Sequence, residues 1–255
     1  MLKNVAVVAS VVLLGASSAW ADAKGLEIAK KVDKANEGFA GERSEMEMIL
    51  INAYGDTTTR KMTNVIFEMD GDGDKSKIEF LWPADVKGTR MLTWSHKSDD
   101  DDQWLYLPAI KRVKRISSRN KSGSFMGSEF SYEDLGSQEV EKFSHTFVRE
   151  EKLDGRDCWV NERVPTDARS GYSKQLVWID KGYMNAAKIE YYDRKGELLK
   201  TGTFKDYEKV AGFWRVGEIE MVNHQTKKKS SLAWKKRELK VALEEDNFDS
   251  DELDC

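Results

Sequence analysis

Residues 80–135 read FLWPADVKGTRMLTWSHKSDDDDQWLYLPAIKRVKRISSRNKSGSFMGSEFSYEDL. If Gln103-Trp104-Leu105-Tyr106-Leu107 is a strand, its side chains are apolar or aromatic on both faces. An antiparallel strand with one wet face would alternate instead. Residues 78–82 share the property apart from Glu79, and Met91-Leu92-Thr93-Trp94 has it almost throughout. Strands of this kind need cover on both sides, from helices, from a second sheet or from a ligand.

Outward from this stretch, turn signals recur at residues 70–74, 87–88, 98–102, 154–155, 181–182, 193–196 and 211–212, with β-rich runs between them. The runs amount to eleven or twelve strands, a number at which an open sheet tends to curl. Short turns such as residues 192–197 make sequence neighbours antiparallel. Only residues 22–38 read as a long helix, with Leu26, Ile28, Ala29, Val32 and Ala35 on a loose apolar stripe and Gly38 as its stop. Residues 131–135 suit a second, short helix. The expected fold is mainly β with a helical lid: one curled antiparallel sheet of about eleven strands forming an incomplete barrel.

The start of the chain has the layout of a secretory signal: Lys3, an apolar core over residues 5–14, and the small-x-small site Ala19-Trp20-Ala21 before Asp22. That apolar run is too short to span a bilayer. Asp22, not a cysteine, directly follows the cleavage site, so a lipoprotein-type anchor has no acceptor and a periplasmic product is expected. The organisation is then a signal peptide at residues 1–21, one domain at residues 22–243, and an acidic, mobile tail at residues 244–255. Cys158 and Cys255 are the only cysteines, and whether they pair stays open. Loss of the signal segment removes Lys3 alone among the charges and moves the net charge from −4 to −5. This mild acidity argues against nucleic-acid binding.

Signals for catalysis are thin. His96, His145 and His224 are the only histidines, and none stands at metal-ligand spacing from another His or a Cys. Gly123-Ser124-Phe125-Met126-Gly127 has Phe where a nucleophile elbow has Ser, and it lacks the Lys of a phosphate loop. Asp70-Gly71-Asp72-Gly73-Asp74 opens like a calcium loop, but Lys75 and Leu81 stand where that loop needs Gly and Glu. The carboxylates of residues 99–102 read as a solvated loop tip. No catalytic residue, cofactor or metal is expected.

Two groups of residues point to binding. Phe80, Trp82, Met91, Trp94, Trp104, Tyr106, Phe125, Met126 and Phe130 are candidates to line an apolar cavity, because one helix cannot cover the whole inner face of such a sheet. On that reading the glycines of residues 122–128 serve a flexible lid, and Trp104→Asp abolishes uptake of hydrophobes. Arg112, Lys114, Arg115 and Arg119 are candidates for a head-group or partner contact, since Arg offers a fork that matches phosphate and carboxylate. The alternatives are ordinary core packing for the aromatics and a charge-guarded edge for the cations.

Several blocks in order carry a family resemblance: residues 80–88 (FLWPADVKG), 102–108 (DQWLYLP), 112–116 (RVKRI), 125–128 (FMGS) and 132–135 (YEDL), with residues 178–180 and 192–193 as weaker pieces. The chain resembles the periplasmic outer-membrane lipoprotein-sorting family, the LolA-like group associated with exporters of the resistance-nodulation-division type. The resemblance implies a half-barrel with a concave apolar face under a helical lid. It further implies a carrier that takes a lipid or lipidated protein through the periplasm in partnership with such an exporter, and it carries over no catalytic residue; a monomer that touches membranes transiently is expected. The alternative function is an adaptor that docks on a transporter and carries no cargo.

Overall fold

The computed structural model describes residues 13–254, with side chains described from residue 20. Helix α1 (Leu13–Asn36) comes first. Fifteen strands follow: β1 (Gly41–Ile51), β2 (Thr57–Phe67), β3 (Lys75–Trp82), β4 (Arg90–Trp94), β5 (Asp102–Leu107), β6 (Arg112–Ile116), β7 (Phe143–Leu153), β8 (Arg156–Pro165), β9 (Tyr172–Asp180), β10 (Asn185–Asp193), β11 (Leu198–Lys205), β12 (Glu208–Val210), β13 (Phe213–Arg215), β14 (Glu218–Asn223) and β15 (Lys229–Leu239). Thirteen of them form one sheet in the order β6-β5-β4-β3-β2-β1-β15-β14-β11-β10-β9-β8-β7, and β12 pairs only with β13. Every pairing is antiparallel.

The sheet is a mainly β, unclosed half-barrel, as the turn spacing predicted, with more strands than the eleven expected. The excess has a local cause. The cationic run is itself strand β6, and residues 213–223 split into β13 and β14 at Val216–Gly217, where Gly217 Cα lies so close to Asp206 that an added Cβ would sit 2.4 Å from its carbonyl oxygen. The two arms of the sheet meet where β1 pairs β15, leaving β6 and β7 as free edges. These edges are consecutive in sequence, so residues 117–142 must carry the chain from one rim to the other.

Residues directly opposite each other in a ladder face the same side, which sorts the two-faced strands. Met46, Met62 and Phe80 stand in line across β1, β2 and β3 and are at most 4% exposed, in the main core. Met91 and Leu105 continue this inner layer. Leu92 and Trp104 point the other way, with Trp94 and Tyr106, into an outer cluster closed by Leu243, Phe248 and Leu253. The cover demanded by strands 4 and 5 on their outer side is therefore the C-terminal segment. Phe248 and Leu253 are 1% and 2% exposed. Trp94 Nε1 donates to Phe248 O at 2.8 Å, Lys77 Nζ to Asn247 O at 2.7 Å and Arg90 Nη1 to Leu253 O at 3.1 Å. This corrects the mobile acidic tail: its two apolar residues anchor it, and the carboxylates around them face water.

Helix α1 starts at Leu13, ahead of the expected residue 22, and stops at Asn36, whose side chain donates to Val32 O at 2.8 Å; Gly38 follows at φ 90°. The core of the expected signal segment lies largely outside the described residues. Ile28 is buried and Ala29 and Val32 are partly so, whereas Leu26 is exposed. Gly25 lets the helix lie against β7, because a Cβ there would meet Phe147 N at 2.6 Å. Among the described residues no helix is long and apolar enough to cross a membrane. Cys158 is fully buried in an outer cluster with Val160, Trp178 and Ala187, and Cys255 lies outside the described residues.

Candidate functional site: a cavity under the helix

The rim-to-rim segment crosses the concave face as a plug. Phe125 is fully buried, its ring 5.7 Å from Phe80 and 5.8 Å from Tyr132. Phe125 N donates to Phe130 O and Ser128 Oγ to Phe125 O, both at 2.7 Å, and Arg60 Nη1 donates to Met126 O. Residues 122–128 are thus a fixed turn, not the flexible lid their glycines suggested. Residues 131–135 form the expected short helical turn, a 3-10 turn at Tyr132–Asp134. Asp134 pins it: its carboxylate accepts from Lys200 Nζ at 2.6 Å, Ser131 N at 2.7 Å and Tyr172 OH at 2.8 Å. The Asp134 and Lys200 side chains are 5% and 4% exposed.

Helix and plug together leave part of the inner face uncovered by backbone. Between them and strands 7–11 and 14 lies a cavity of about 410 Å³. Val177, Ile179, Ile189, Phe204, Ile219 and Met221 line the sheet side, with Ala29 and Val32 from α1 and Phe130 from the plug. This volume sits toward the small end of the range of about 300–1,000 Å³ typical of small-molecule sites.

The cavity is not uniformly apolar. Asn161 and Arg163, two apart on β8 and so on one face, border it with Asp33, Asn36, Asp134, Gln138, His145 and Tyr191. Arg163 Nε donates to Gln175 Oε1 at 2.6 Å and Nη2 to Gln138 Oε1 at 3.1 Å. Its guanidinium stacks over Phe143 at 4.5 Å, and burial lowers its proton affinity. Burial also depresses His145, whose Nε2–H donates to Val140 O at 2.9 Å. Asp33 is raised by burial and then by Glu37. Asn161 donates to Gly25 O at 3.0 Å, joining sheet to helix, while its Oδ1 is buried with no hydrogen-bond partner.

Of the residues expected to line a cavity, Phe130 alone borders this one. Phe80, Met91 and Phe125 fill the solid core, and Met126 packs against it. Trp94, Trp104 and Tyr106 turn to the outer cluster, and Trp82 is 51% exposed at the end of β3. The physical reason is the plug: it occupies the part of the concave face nearest strands 1–5, so the space left over lies at the other arm. Asn161 and Arg163 had no distinguishing mark in the sequence, because a polar residue every second position reads the same for a wet face and for a polar cavity wall.

The cations of β6 also divide. Lys114 opposes Leu105 and Arg112 opposes Leu107, on the inner side, whereas Arg115 opposes Trp104 on the outer side and pairs with Asp102. All three are exposed, as is Arg119 beyond the strand. The acidic stretches are engaged with protein groups. Asp100 pairs with Arg169 at 2.6 Å and Asp101 with Lys142, tying the β4–β5 loop to the opposite arm where the sheet stays unclosed. Asp72 accepts from His96 Nδ1 at 2.7 Å, which, with burial opposing and Lys97 N helping, holds its carboxyl down to about 2. Among the described residues no group of three or more His, Cys, Asp and Glu is placed to hold a metal ion.

A family model described only as an uncharacterized protein matches residues 72–254. No curated protein matches the chain. Among solved structures, a candidate outer membrane lipoprotein-sorting protein domain from Vibrio parahaemolyticus is 49% identical, over 92% of this chain and 100% of that one, with a TM-score of 0.90. A DUF1329 family protein from Desulfovibrio piger is 32% identical over 91% of this chain and 99% of that one, at a TM-score of 0.87. A LolA superfamily protein from Nitrosomonas europaea, 20% identical over 89% and 98% of the two chains with a TM-score of 0.72, shares the fold. The open half-barrel, its helix and these near full-length identities agree: the chain has the LolA-like fold and belongs to the family of the outer membrane lipoprotein-sorting domain and the DUF1329 protein.

Proposed function

We propose that the protein is a non-enzymatic carrier of the bacterial periplasm that shelters one acyl chain, of a lipid or of a lipidated protein, in the cavity under α1 and passes it between envelope membranes. The observation that carries this reading is a hollow of about 410 Å³, lined on the sheet side by Val, Ile, Phe and Met, between helix and sheet, on an inner face that the rim-to-rim segment fills elsewhere. Burying roughly 300 Å² of acyl chain at ~25 cal/mol per Å² yields about 7 kcal/mol before ordering costs, which is enough for capture and still reversible. The volume suits a single chain. The secretory layout of residues 1–21 supports the compartment. The exposed cations Arg112, Lys114, Arg115 and Arg119 supply a surface for anionic lipid head groups or for an acidic face of a resistance-nodulation-division exporter.

Native mass spectrometry and lipid extraction of freshly purified protein test the reading. Co-purifying acyl species that vanish in Ile189→Trp, which fills the cavity, are the expected result. A clean protein that takes up no acyl probe refutes it and leaves an adaptor docking on a transporter.

A further inference from the structure

The polar wall of the cavity holds two groups that the fold itself leaves without matching partners, and both lie on β8. Arg163 is charged at all accessible pH values, borders an apolar hollow, and has no carboxylate within 4.0 Å among the described residues. Its two hydrogen bonds go to the neutral amide oxygens of Gln175 and Gln138. They use two of the five N–H donors of a guanidinium and leave the rest of the fork available. The neighbouring Asp134 carboxylate is already committed to Lys200, Ser131 and Tyr172. Arg163 is partly buried at the cavity edge, so its guanidinium gives up part of its water there without gaining an anion, and charges taken from water are ordinarily paired. Two residues away, Asn161 is 2% exposed and its Oδ1 accepts nothing, although buried polar atoms are almost always satisfied. A missing anion and a missing donor thus sit side by side at one wall of a hydrocarbon-sized space.

We propose that Arg163 and Asn161 Oδ1 form a head-group subsite, and that the ligand is a single-chain amphiphile whose anionic head carries a hydroxyl beside the anion. A lysophospholipid has this chemistry: phosphate for the Arg163 fork, glycerol hydroxyl for Asn161, and one chain along Val177, Ile189 and Met221. A fatty acid shares the anion and lacks the donor. The inference rests on the acyl-carrier reading and narrows it to an anionic, single-chain cargo.

The test titrates the purified, delipidated chain with four lauroyl probes, displacing a fluorescent acyl reporter: lysophosphatidic acid, its 2-deoxy counterpart, laurate and methyl laurate. Lysophosphatidic acid should bind at least ten-fold tighter than methyl laurate, and removal of the 2-hydroxyl should cost three- to ten-fold, as a net hydrogen bond does. Arg163→Gln should erase the preference for the anion and leave methyl laurate binding unchanged, and Arg163→Lys should restore most of it. Equal binding of laurate and methyl laurate to the native chain overturns the Arg163 assignment while leaving an acyl carrier standing, as does an Arg163→Gln variant that loses all four probes alike. A 2-deoxy probe that binds as tightly as its parent overturns the Asn161 assignment and points to a free fatty acid. Failure of every acyl probe to bind removes the carrier reading and this inference together.

Discussion

Removing the carboxylate of Asp134 should unseat the plug. The Asp134 and Lys200 side chains are both about 95% buried and 2.6 Å apart, so Asp134→Ala strands an ammonium whose remaining partners are Glu129 O at 2.9 Å and the rings of Tyr172 and Tyr191 at 5.3 and 5.2 Å. Ser131 N and Tyr172 OH lose an acceptor in the same step. Breaking a buried pair from one side costs about 3–5 kcal/mol. For a domain of this size that lowers Tm by roughly 6–20 °C. The double variant Asp134→Ala/Lys200→Met removes both charges, so it should recover at least about 2 kcal/mol over the single one. Urea unfolding followed by tryptophan fluorescence gives the energies, and hydrogen exchange shows whether protection is lost first in residues 117–142. A single variant that costs less than about 1 kcal/mol, or a double variant no better than the single, refutes the view that this pair holds the segment across the concave face.

Three further outcomes follow from the packing. Gly25→Ala, which in an exposed helix gains up to ~1 kcal/mol, should instead cost about 1–3 kcal/mol and alter probe uptake, because its Cβ meets β7 backbone atoms at 2.6–2.9 Å; a rise in urea midpoint contradicts this. Trp104→Asp should lose about 2–3 kcal/mol and make residues 244–254 protease-sensitive while acyl-probe affinity stays unchanged, the reverse of what its sequence context suggests; loss of probe binding in the folded variant places Trp104 in the site after all. Asp74, raised to about 7 by burial, holds its proton more tightly folded than unfolded, so its contribution is greatest below about pH 4 and falls away as pH rises to about 7. Asp74→Asn keeps the acceptor for Met69 N–H, so its stability measured from pH 4 to 8 should lack that decline and exceed the native protein's at pH 8.

The architecture was legible because it is written locally. Period-two runs, turn dipeptides and one helical stripe are short-range signals, and they survive into β1–β5, β7–β11, β15 and α1. The requirement that residues 103–107 be covered on both sides was also correct. What covers them was not legible, since it depends on which distant segment returns: Phe248 from the end of the chain outside, Phe125 from the rim-to-rim segment inside. An acidic tail with isolated Phe248 and Leu253 resembles a solvated terminus until the surface that receives those two side chains is known. The candidate cavity lies in the other arm for the same reason. Aromatic density marked the place where the chain packs against itself, whereas the hollow lies among Val, Ile and Met residues whose spacing looks like ordinary strand interior.

The joint between the two arms has a consequence for how the molecule is made. Glu42 lies opposite Leu239 and Ile51 opposite Lys229, so the central rib needs nearly both ends of the chain. Each arm can assemble from neighbouring hairpins, but closing so long a stretch carries a large entropic toll before any contact rewards it. A chain that stops short of residue 229 lacks the strand that joins β1 to β14, and with it Leu232 of the main core. Strand β15 is then the seam on which two meanders, far apart along the chain, become one sheet.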